Sequence, residues 1–252
     1  MIVPTLGSRP TLLRACLASI ASQDEPADIV IVAPTGNRSV AALAEEFGAR
    51  VEDDPGSLAA AINAGADSAQ EHHEYLNWQG DDDLLEPGSL RATVSALDAD
   101  PVAVLAYGAC RYIDEAGQEL WISRAGKWAP RILSWGPDLI PQPGMLARRS
   151  GWQQVGGVDE SFRFAFDLDL LLKLRKLGHF VDVGRVVSSF RWHGDSLTVS
   201  DRTTSLAESE RARRRSLPPA ARRLAWLWER PVRGATRVAA AEVSRRARRL
   251  SS

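Results

Sequence analysis

The stretch that decides the fold is Trp78-Gln79-Gly80-Asp81-Asp82-Asp83-Leu84-Leu85. Residues 74–78, before the acids, predict a buried strand, and residues 86–90, after them, predict a turn that opens a helix. Three adjacent carboxylates repel one another unless a cation lies among them. Ligands of an α/β sheet bind outside the carboxyl ends of its strands, and oxygen ligands suit Mg²⁺ or Mn²⁺. The stretch therefore predicts a divalent-cation site at the sheet edge, with a solvated acidic turn as the alternative.

Strand and helix patterns alternate along the first 107 residues. Residues 28–33, for example, contain a continuous apolar run, which is typical of a strand covered on both faces. This alternation predicts a parallel sheet with right-handed crossovers. After residue 108 the pattern loosens, although a pair of strands is predicted around the turn at 115–117 and a helix at 167–177. The predicted fold class is α/β, with a Rossmann-like, mostly parallel central sheet flanked by helices and a helical C-terminal extension.

The composition of the 252 residues suits a protein with a sizeable core, since 44% of them are hydrophobic. No run approaches the roughly 18 consecutive apolar residues that a membrane-spanning helix needs. Residues 1–5 lack the charged and apolar regions of a secretory signal. Two cysteines, Cys16 and Cys110, are too few for a disulfide framework or a zinc cluster. These features predict a cytoplasmic protein in a reducing environment.

The charge is distributed unevenly along the chain. Residues 211–252 contain 13 arginines and two acids, a net charge of +11, whereas the first 210 residues contain 18 basic and 30 acidic residues, a net charge of −12. Arginine-rich helical patterns with tryptophan suit an anionic membrane surface. We therefore expect residues 211–252 to hold the protein peripherally at the inner face of the plasma membrane. Packing on the acidic body, a homo-oligomer contact and a nucleic-acid arm are the alternatives, and no recognisable nucleic-acid module supports the last.

Three further segments carry candidate chemistry. Asp167 and Asp169 open an apolar helix, where they are either favoured by the helix N-terminus or supply a general base beside an apolar pocket. His193 is a candidate metal ligand or a plain loop residue. Residues nearby with hydrogen-bond donors for phosphate oxygens are Arg191, Ser196 and Thr198. The rigid segment 140–146 predicts either the lining of a substrate cleft or a buried connector.

The order of these motifs resembles the family-2 glycosyltransferases, which are inverting enzymes with the nucleotide-sugar-binding fold called GT-A. The resemblance is carried by seven pieces of sequence in family order: residues 3–5, 61–65, 80–83, 142–144, 156–160, 167–169 and 191–193. It covers about residues 2 to 200. No single piece is decisive, but seven pieces in order are specific.

The resemblance implies a role for each matching residue. Asp167 matches the catalytic base, and Asp82 matches the acid that binds a divalent ion, Mn²⁺ or Mg²⁺, which holds the donor diphosphate. Asp83 and His193 are the other predicted metal ligands. The residues predicted to bind the nucleotide sugar are Pro4, Thr5, Asp53, Asp54, Asn63, Asp81, Gln142, Asp169, Arg191 and Ser196.

The chain departs from the family pattern in two places. After the second strand, Ala33-Pro34-Thr35-Gly36 stands where many members carry an acid that holds the base or ribose. Asp53 or Asp54 in the next loop is expected to take over this contact. Gly80 stands where the first acid of the metal motif often lies, so we expect Asp81 to take its place.

These observations predict a metal-dependent, inverting glycosyltransferase for hexosyl or deoxyhexosyl transfer. Its donor is a nucleotide-diphosphate sugar, and its acceptor is a hydroxyl, lipid-linked or part of a cell-surface glycan or another secondary product. The predicted domains are 1–205, with a nucleotide-binding half (1–108) and an acceptor half (109–205), and a basic extension, 206–252. A catalytically silent sugar-nucleotide-binding module and a nucleotidyltransferase-like enzyme are the alternatives. The latter is disfavoured because the first thirty residues contain no glycine-rich phosphate loop followed by lysine.

Overall fold

The computed structural model describes residues 1–192, 202–224 and the single positions 226, 227, 229, 231 and 234. The predictions for His193 and Ser196 lie outside the described residues, as does most of the arginine-rich tail. Within the described part, strands and helices alternate as the sequence predicts.

Three parallel strands form the N-terminal half, in the order β1–β2–β3. These strands and the helices that follow them are β1 (Ile2–Pro4), α1 (Pro10–Ala21), β2 (Val30–Ala33), α2 (Arg38–Phe47), β3 (Arg50–Asp53) and α3 (Leu58–Asp67). The Asn37 and Ser57 side chains accept backbone N–H bonds at the starts of α2 and α3, which fixes where these helices begin. All three strands therefore end at one edge of the sheet.

The C-terminal half is a mixed sheet in the order β4–β8–β6–β9–β5, with β7 paired to β6. Its strands are β4 (Tyr75–Leu76), β5 (Leu84–Leu85), β6 (Ala103–Ile113), β7 (Glu119–Ser123), β8 (Leu146–Arg148) and β9 (His179–Arg191). The two long strands β6 and β9 run parallel, whereas the other pairs in this half are antiparallel. The hairpin of β6 and β7 confirms the strand pair predicted around residues 115–117.

Residues 77–79 join the two halves into one surface. The Ile2 N–H donates to Asn77 O at 2.8 Å, and the Gln79 N–H donates to Ile2 O at 2.9 Å. This segment runs parallel to β1 and continues β4, which pairs with β8 on its other side. The predicted α/β fold class is therefore confirmed, with the parallel strands concentrated in the N-terminal half.

Helices cover both faces of this surface. Those of the C-terminal half are α4 (Ser89–Asp98), α5 (Ala129–Ile132), α6 (Arg149–Val155) and α7 (Phe166–Leu174). On one face, Trp78 packs edge-on against Trp152 of α6 and contacts Phe166 of α7, with ring centroids 5.7 and 6.2 Å away. These contacts bring the start of α7 to the strand end that carries the acidic stretch.

The first part of the basic tail packs on the acidic body. It forms α8 (Arg202–Ser216) and α9 (Pro219–Leu224). Arg211 donates to Ser161 O at 2.7 Å, Arg215 pairs with Asp159 at 2.9 Å, and both guanidinium groups lie over the Phe162 ring. The sequence left packing on the acidic body as one alternative for the tail, and α8 packs in this way. Among the described residues, no helix is long and apolar enough to cross a membrane.

Candidate active site

The acidic stretch lies at the carboxyl edge of the parallel strands. It follows residues 77–79 directly, and Asp81, Asp82 and Asp83 are all buried, with at most 9% of each residue exposed. A solvated acidic turn would leave these carboxylates in water. Their burial instead requires neighbours that compensate the charge, so the alternative of a solvated turn is excluded.

Arg9 compensates two of the three carboxylates. One guanidinium nitrogen lies 2.5 Å from Asp81 Oδ1 and another lies 2.6 Å from Asp82 Oδ2. Burial lowers the pKa of Arg9, but the charges of Asp81 and Asp82 outweigh this effect and hold the pKa above its ordinary value. The Thr5 hydroxyl completes the group by donating to Asp81 Oδ2 at 2.5 Å, and it accepts the Gly7 N–H at 2.9 Å. The turn after β1 therefore anchors the acidic stretch.

The side chains of Asp82 and Asp83 fill the space beside Gly80. A Cβ on Gly80 would lie 2.8 Å from Asp83 Oδ2 and 3.2 Å from Asp82 Oδ1. The two side chains fold back over the glycine, so an acid cannot stand there without moving them.

Asp83 and Arg191 tie the acidic stretch to β9. Asp83 Oδ1 accepts the Arg191 N–H at 3.0 Å, and burial, reinforced by the charge of Asp82, raises the pKa of Asp83 well above its usual range. The Arg191 guanidinium donates to the backbone oxygens of Asp82, Asp114 and Glu115 at 2.9–3.2 Å. In this structure Arg191 therefore positions the loops of the site, and its guanidinium contacts backbone carbonyls.

The residues present fit a hard divalent cation. The donors are carboxylate oxygens, which Mg²⁺ and Mn²⁺ prefer. Asp81 and Asp82 already bind one positive group, the Arg9 guanidinium, and a metal ion at these acids would displace it. These two acids would hold the ion, whereas Asp83 uses Oδ1 for the Arg191 N–H. The predicted ligand His193 lies outside the described residues.

A second cluster, Asp28, His72 and His73, brings three ligand atoms within 4.8 Å of one another among the described residues. His73 Nε2 lies 2.7 Å from Asp28 Oδ2, and His73 Nδ1 accepts the Gln70 N–H at 3.0 Å. A neutral imidazole whose Nδ1 accepts a hydrogen bond carries its proton on Nε2, so Nε2 donates to Asp28 and has no lone pair for a metal. The cluster precedes β2 and β4, so it lies at the sheet edge opposite the acidic stretch. It consists of the hydrogen-bonded pair Asp28 and His73, with His72 beside it.

The predicted contacts of the nucleotide lie along the same sheet edge. Pro4 ends β1, and the Thr5 N–H donates to Val32 O at 2.9 Å. Asp53 ends β3 and accepts the Thr35 hydroxyl at 2.7 Å, while Asp54 accepts the Gly56 N–H at 2.9 Å. The carboxylate of Asp53 therefore lies against the loop after β2, where the family's acid is missing from the sequence.

Asn63 and Gln142 have protein partners in this structure. Asn63 donates to Val158 O at 3.0 Å and accepts the Val158 N–H at 3.1 Å, which links α3 to the turn at 156–160. Gln142 donates to Trp78 O at 2.7 Å and so holds the segment 140–146 beside the end of strand 77–79. Both side chains connect the parts of the site.

Asp167 occupies the first turn of α7 and is half-buried. The Leu168 N–H donates to its Oδ1 at 2.7 Å, and burial raises the pKa of Asp167 to about 6. Asp169, by contrast, is buried and paired with Lys173 at 2.7 Å on the same helix. An elevated pKa near neutrality suits a general base, so Asp167 stays the candidate base, whereas Asp169 is engaged in the ion pair with Lys173.

Sequence reasoning missed Asp138, which lies beside Asp167. The Asp138 carboxylate accepts the Ile140 N–H at 3.0 Å, and burial, followed by the charge of Asp167, raises the pKa of Asp138 to about 7. The positive charge of Arg213 of α8 opposes this rise, and burial lowers the pKa of Arg213. The only signal in the sequence was an isolated acid within the apolar segment 128–140.

Sequence reasoning also missed Glu208, whose carboxylate binds the backbone just before the start of α7. It accepts the backbone N–H groups of Arg163, Phe164 and Ala165 at 2.7–3.1 Å. Burial alone would raise the pKa of Glu208, but these hydrogen bonds lower it below the ordinary value. The helix that follows begins at Phe166, so Glu208 of the C-terminal extension positions Asp167.

Replacing Glu208 by Ala is expected to lower the free energy of unfolding by about 1–3 kcal/mol, because three backbone donors lose a charged acceptor. We expect kcat to fall while the Kd for nucleotide stays unchanged, since only Asp167, the candidate base, is displaced. Glu208→Gln keeps an acceptor oxygen and should recover part of both losses. Thr203→Ala on the exposed side of α8 serves as the control. If Glu208→Ala lowers Tm but leaves kcat unchanged, Glu208 stabilises the fold without positioning Asp167 for the reaction.

The sequence places the chain in a known family. The model of the family described as Glycosyl transferase family 2 matches residues 1–157, more than half of the chain. The chain therefore belongs to glycosyl transferase family 2, a family of sugar-transferring enzymes. This finding confirms the resemblance carried by the seven motifs.

Two kinds of relatives agree with this assignment. The chain is 28% identical over 200 residues to the O-antigen biosynthesis protein RfbC of Myxococcus xanthus, an alignment that covers 72% of this chain and 15% of the length of RfbC. Among solved structures it resembles S. aureus TarS 1–349 and its complex with UDP, at 16% and 15% identity and a TM-score of 0.64 for both. Each covers 88% of this chain and 67% of the TarS chain. At this identity the TarS structures show the fold alone.

Proposed function

We propose that the protein is a metal-dependent, inverting glycosyltransferase that moves a sugar from a nucleotide-diphosphate sugar to an acceptor hydroxyl. The observation that carries the proposal is the buried group of Asp81, Asp82 and Arg9 at the carboxyl edge of the parallel strands. Buried acids that converge on one cation are suited to an ion that holds a diphosphate. The similarity to RfbC supports an acceptor in a cell-surface glycan or its lipid-linked precursor.

Each part of the reaction has a residue of suitable chemistry. Asp167 takes the proton from the acceptor hydroxyl, and its Oδ2 is the oxygen that the Leu168 N–H leaves uncovered. Attack from the face opposite the leaving diphosphate inverts the anomeric carbon in one displacement. Asp81 and Asp82 would hold the cation, and a bound Mn²⁺ or Mg²⁺ would neutralise the charge of the leaving diphosphate. Trp78 and Phe166 hold the strand end and α7 together, and the mechanism requires the base and the cation site to flank one cleft.

The proposed roles of these residues divide the domain into two halves. We assign donor binding to residues 1–108 and acceptor binding to residues 109–205. Residues 206–252 form a basic extension whose first helix positions Asp167 through Glu208. We further propose that the protein works in the cytoplasm, at the membrane face where sugar nucleotides and lipid-linked acceptors meet.

The pH dependence tests the base. A carboxylate must be ionised to accept a proton, so kcat/KM should rise with pH and level off above the pKa of Asp167, which is about 6. An ordinary aspartate would place the inflection near 4. Asp138→Asn should keep the inflection near 6, because burial is the main cause of the raised pKa of Asp167. An inflection near 4 in the unmodified protein would contradict the assignment.

A thermal-shift screen tests the proposal as a whole. UDP is the first probe, since a TarS structure contains it, followed by GDP and dTDP, each with Mn²⁺, with Mg²⁺ or with EDTA. A matching nucleotide at about 100 times its Kd should raise Tm by about 5–10 °C, and the rise should disappear in EDTA. A rise that EDTA leaves intact would remove the metal from the proposal. Binding without transfer to any hydroxyl would favour the silent module, and release of pyrophosphate from a sugar phosphate and nucleoside triphosphate would favour a nucleotidyltransferase.

A further inference from the structure

The segment between β7 and the active site has two distinct faces. Its inner face, Ala129, Leu133 and Ile140, is buried in the hydrophobic core. The Tyr107 hydroxyl fixes its start by donating to Gly126 O at 2.9 Å. The segment is therefore held firmly on the body of the protein.

The outer face of the same segment is apolar and exposed. Trp128, Ile132, Trp135 and Leu139 are 60%, 38%, 44% and 42% exposed. A soluble surface normally exposes large apolar side chains singly, whereas this segment exposes four of them within twelve residues. We call these four residues the outer patch.

Basic residues surround the outer patch. Arg124, Lys127 and Arg131 are all exposed, and the Arg131 guanidinium lies 4.4 Å from the centre of the Trp128 ring. Residues 124–139 contain three basic residues and one acid, Asp138, although the first 210 residues carry a net charge of −12. The patch is thus a local positive surface on an acidic body.

We propose that the outer patch docks the protein on a lipid bilayer that contains anionic lipids. Tryptophan side chains favour the boundary between headgroups and acyl chains, and flanking arginine and lysine bind anionic headgroups. A glycan-binding surface fits less well, because residues 124–139 contain no asparagine or glutamine and only one carboxylate, Asp138, to accept hydrogen bonds from sugar hydroxyls. A second copy of the chain fits less well, because three positive charges on each copy repel one another.

The position of the patch connects docking to the proposed active site, although docking itself does not depend on the reaction. Leu139 directly follows Asp138, whose charge environment includes Asp167 and Arg213 of α8. A bilayer under the patch would lie beside the acceptor half of the cleft, where a lipid-linked acceptor would arrive. Docking by this segment also differs from docking by residues 211–252, because α8 is occupied in packing on the body.

Vesicle sedimentation with the full-length protein tests the proposal. The vesicles consist of phosphatidylcholine alone or with about one third phosphatidylglycerol, an anionic lipid. The unmodified protein should bind the anionic vesicles. The triple variant Trp128→Ser, Ile132→Ser, Trp135→Ser should bind about tenfold less tightly or worse, since binding scales with the buried apolar area. Replacing Arg124, Lys127 and Arg131 by Gln should weaken binding to the anionic vesicles by about fivefold per residue.

Two controls separate the patch from other causes. Val51→Ser with Val102→Ser removes exposed apolar side chains elsewhere and should leave binding intact, as should Trp226→Ser with Leu227→Ser in the tail. All variants replace exposed side chains, so an unchanged Tm should accompany them. The proposal is overturned if the patch variants bind as well as the unmodified protein, or if the unmodified protein ignores anionic vesicles. A dimer in light scattering that only the patch variants lose would assign the surface to a second copy instead.

Quenching by bromine-labelled lipids gives an independent readout. Trp128 and Trp135 at the acyl boundary should lose fluorescence on brominated vesicles. The variant Trp128→Phe, Trp135→Phe keeps the apolar area, so it should bind the same vesicles but lose most of the quenching. Equal quenching in that variant would show that other tryptophans enter the bilayer and would overturn the proposal.

Discussion

Replacing Asp167 by Asn is expected to lower kcat by about 10²–10⁴-fold, the usual contribution of a positioned general base. The amide keeps the size of the side chain and an oxygen for the Leu168 N–H, but it cannot accept the acceptor proton. The Kd for nucleotide, measured by thermal shift or calorimetry, should stay unchanged, because the candidate donor contacts lie at the strand ends and not on α7. Transfer at the original rate in Asp167→Asn would contradict the base assignment.

The same substitution should not destabilise the protein at alkaline pH. The folded-state pKa of Asp167 is raised to about 6 by burial, so the folded protein holds this proton more tightly than the unfolded chain. Stability from this group is therefore present below about pH 4 and is lost as the pH rises through about 6. Asparagine removes that loss, and Tm of Asp167→Asn at pH 8 should equal or exceed that of the unmodified protein. Lost activity at an unchanged or higher Tm then marks a catalytic effect.

Replacing Asp82 by Asn is expected to lower kcat/KM by about 100-fold or more, since removal of groups that merely support metal ligands already costs about 10–100-fold. The amide oxygen still accepts a hydrogen bond from Arg9, so the local fold should survive. The concentration of Mn²⁺ that gives half-maximal activity should rise steeply. The same Mn²⁺ requirement in Asp82→Asn and the unmodified protein would remove Asp82 from the metal site.

Two matched variants sharpen this prediction. Asp83→Asn should change the Mn²⁺ requirement little, because Asp83 faces the Arg191 N–H and its pKa is raised well above the usual range. Asp81→Asn should behave like Asp82→Asn, because both acids face Arg9. Glu46→Gln removes an exposed carboxylate that also pairs with an arginine, Arg14, and serves as the control. If Asp83→Asn has a large effect on the Mn²⁺ requirement and Asp81→Asn has none, Asp83 and not Asp81 is the second metal ligand.

Much of the fold follows from local patterns in the sequence. The apolar run in residues 28–33 predicted a covered strand, and it forms the central strand β2. The acids after residues 77–79 were expected at a sheet edge, because strands of a parallel sheet end together. These inferences succeed because each rests on residues that are close in the chain.

The partners of the site residues could not be predicted in the same way. Arg9 lies more than seventy residues from the acids it pairs with, and its turn gave no sign of this contact. Glu208 lies in the predicted basic extension, residues 206–252, yet its carboxylate reaches back more than forty residues to the start of α7. Such pairs depend on how elements pack, and a single sequence records no packing.

The predicted donor-binding residues differ in what they contact. Asp53 and Thr5 lie at the sheet edge where a nucleotide is expected, whereas Asn63, Gln142 and Arg191 hold parts of the protein together. A motif marks a position as important without stating whether its side chain binds a ligand or a neighbouring loop. Their predicted contacts with the donor stay predictions.

The central claim is that Asp81 and Asp82 hold a divalent cation that in turn holds a diphosphate. A crystal structure with Mn²⁺ and UDP, recorded with anomalous diffraction at the manganese edge, tests it most directly. We predict one anomalous peak within coordination distance of carboxylate oxygens of Asp82 and of the β-phosphate, with the Arg9 guanidinium moved from its place between the acids. Manganese absent from this corner while UDP occupies the sheet edge, or both bound elsewhere, would contradict the account.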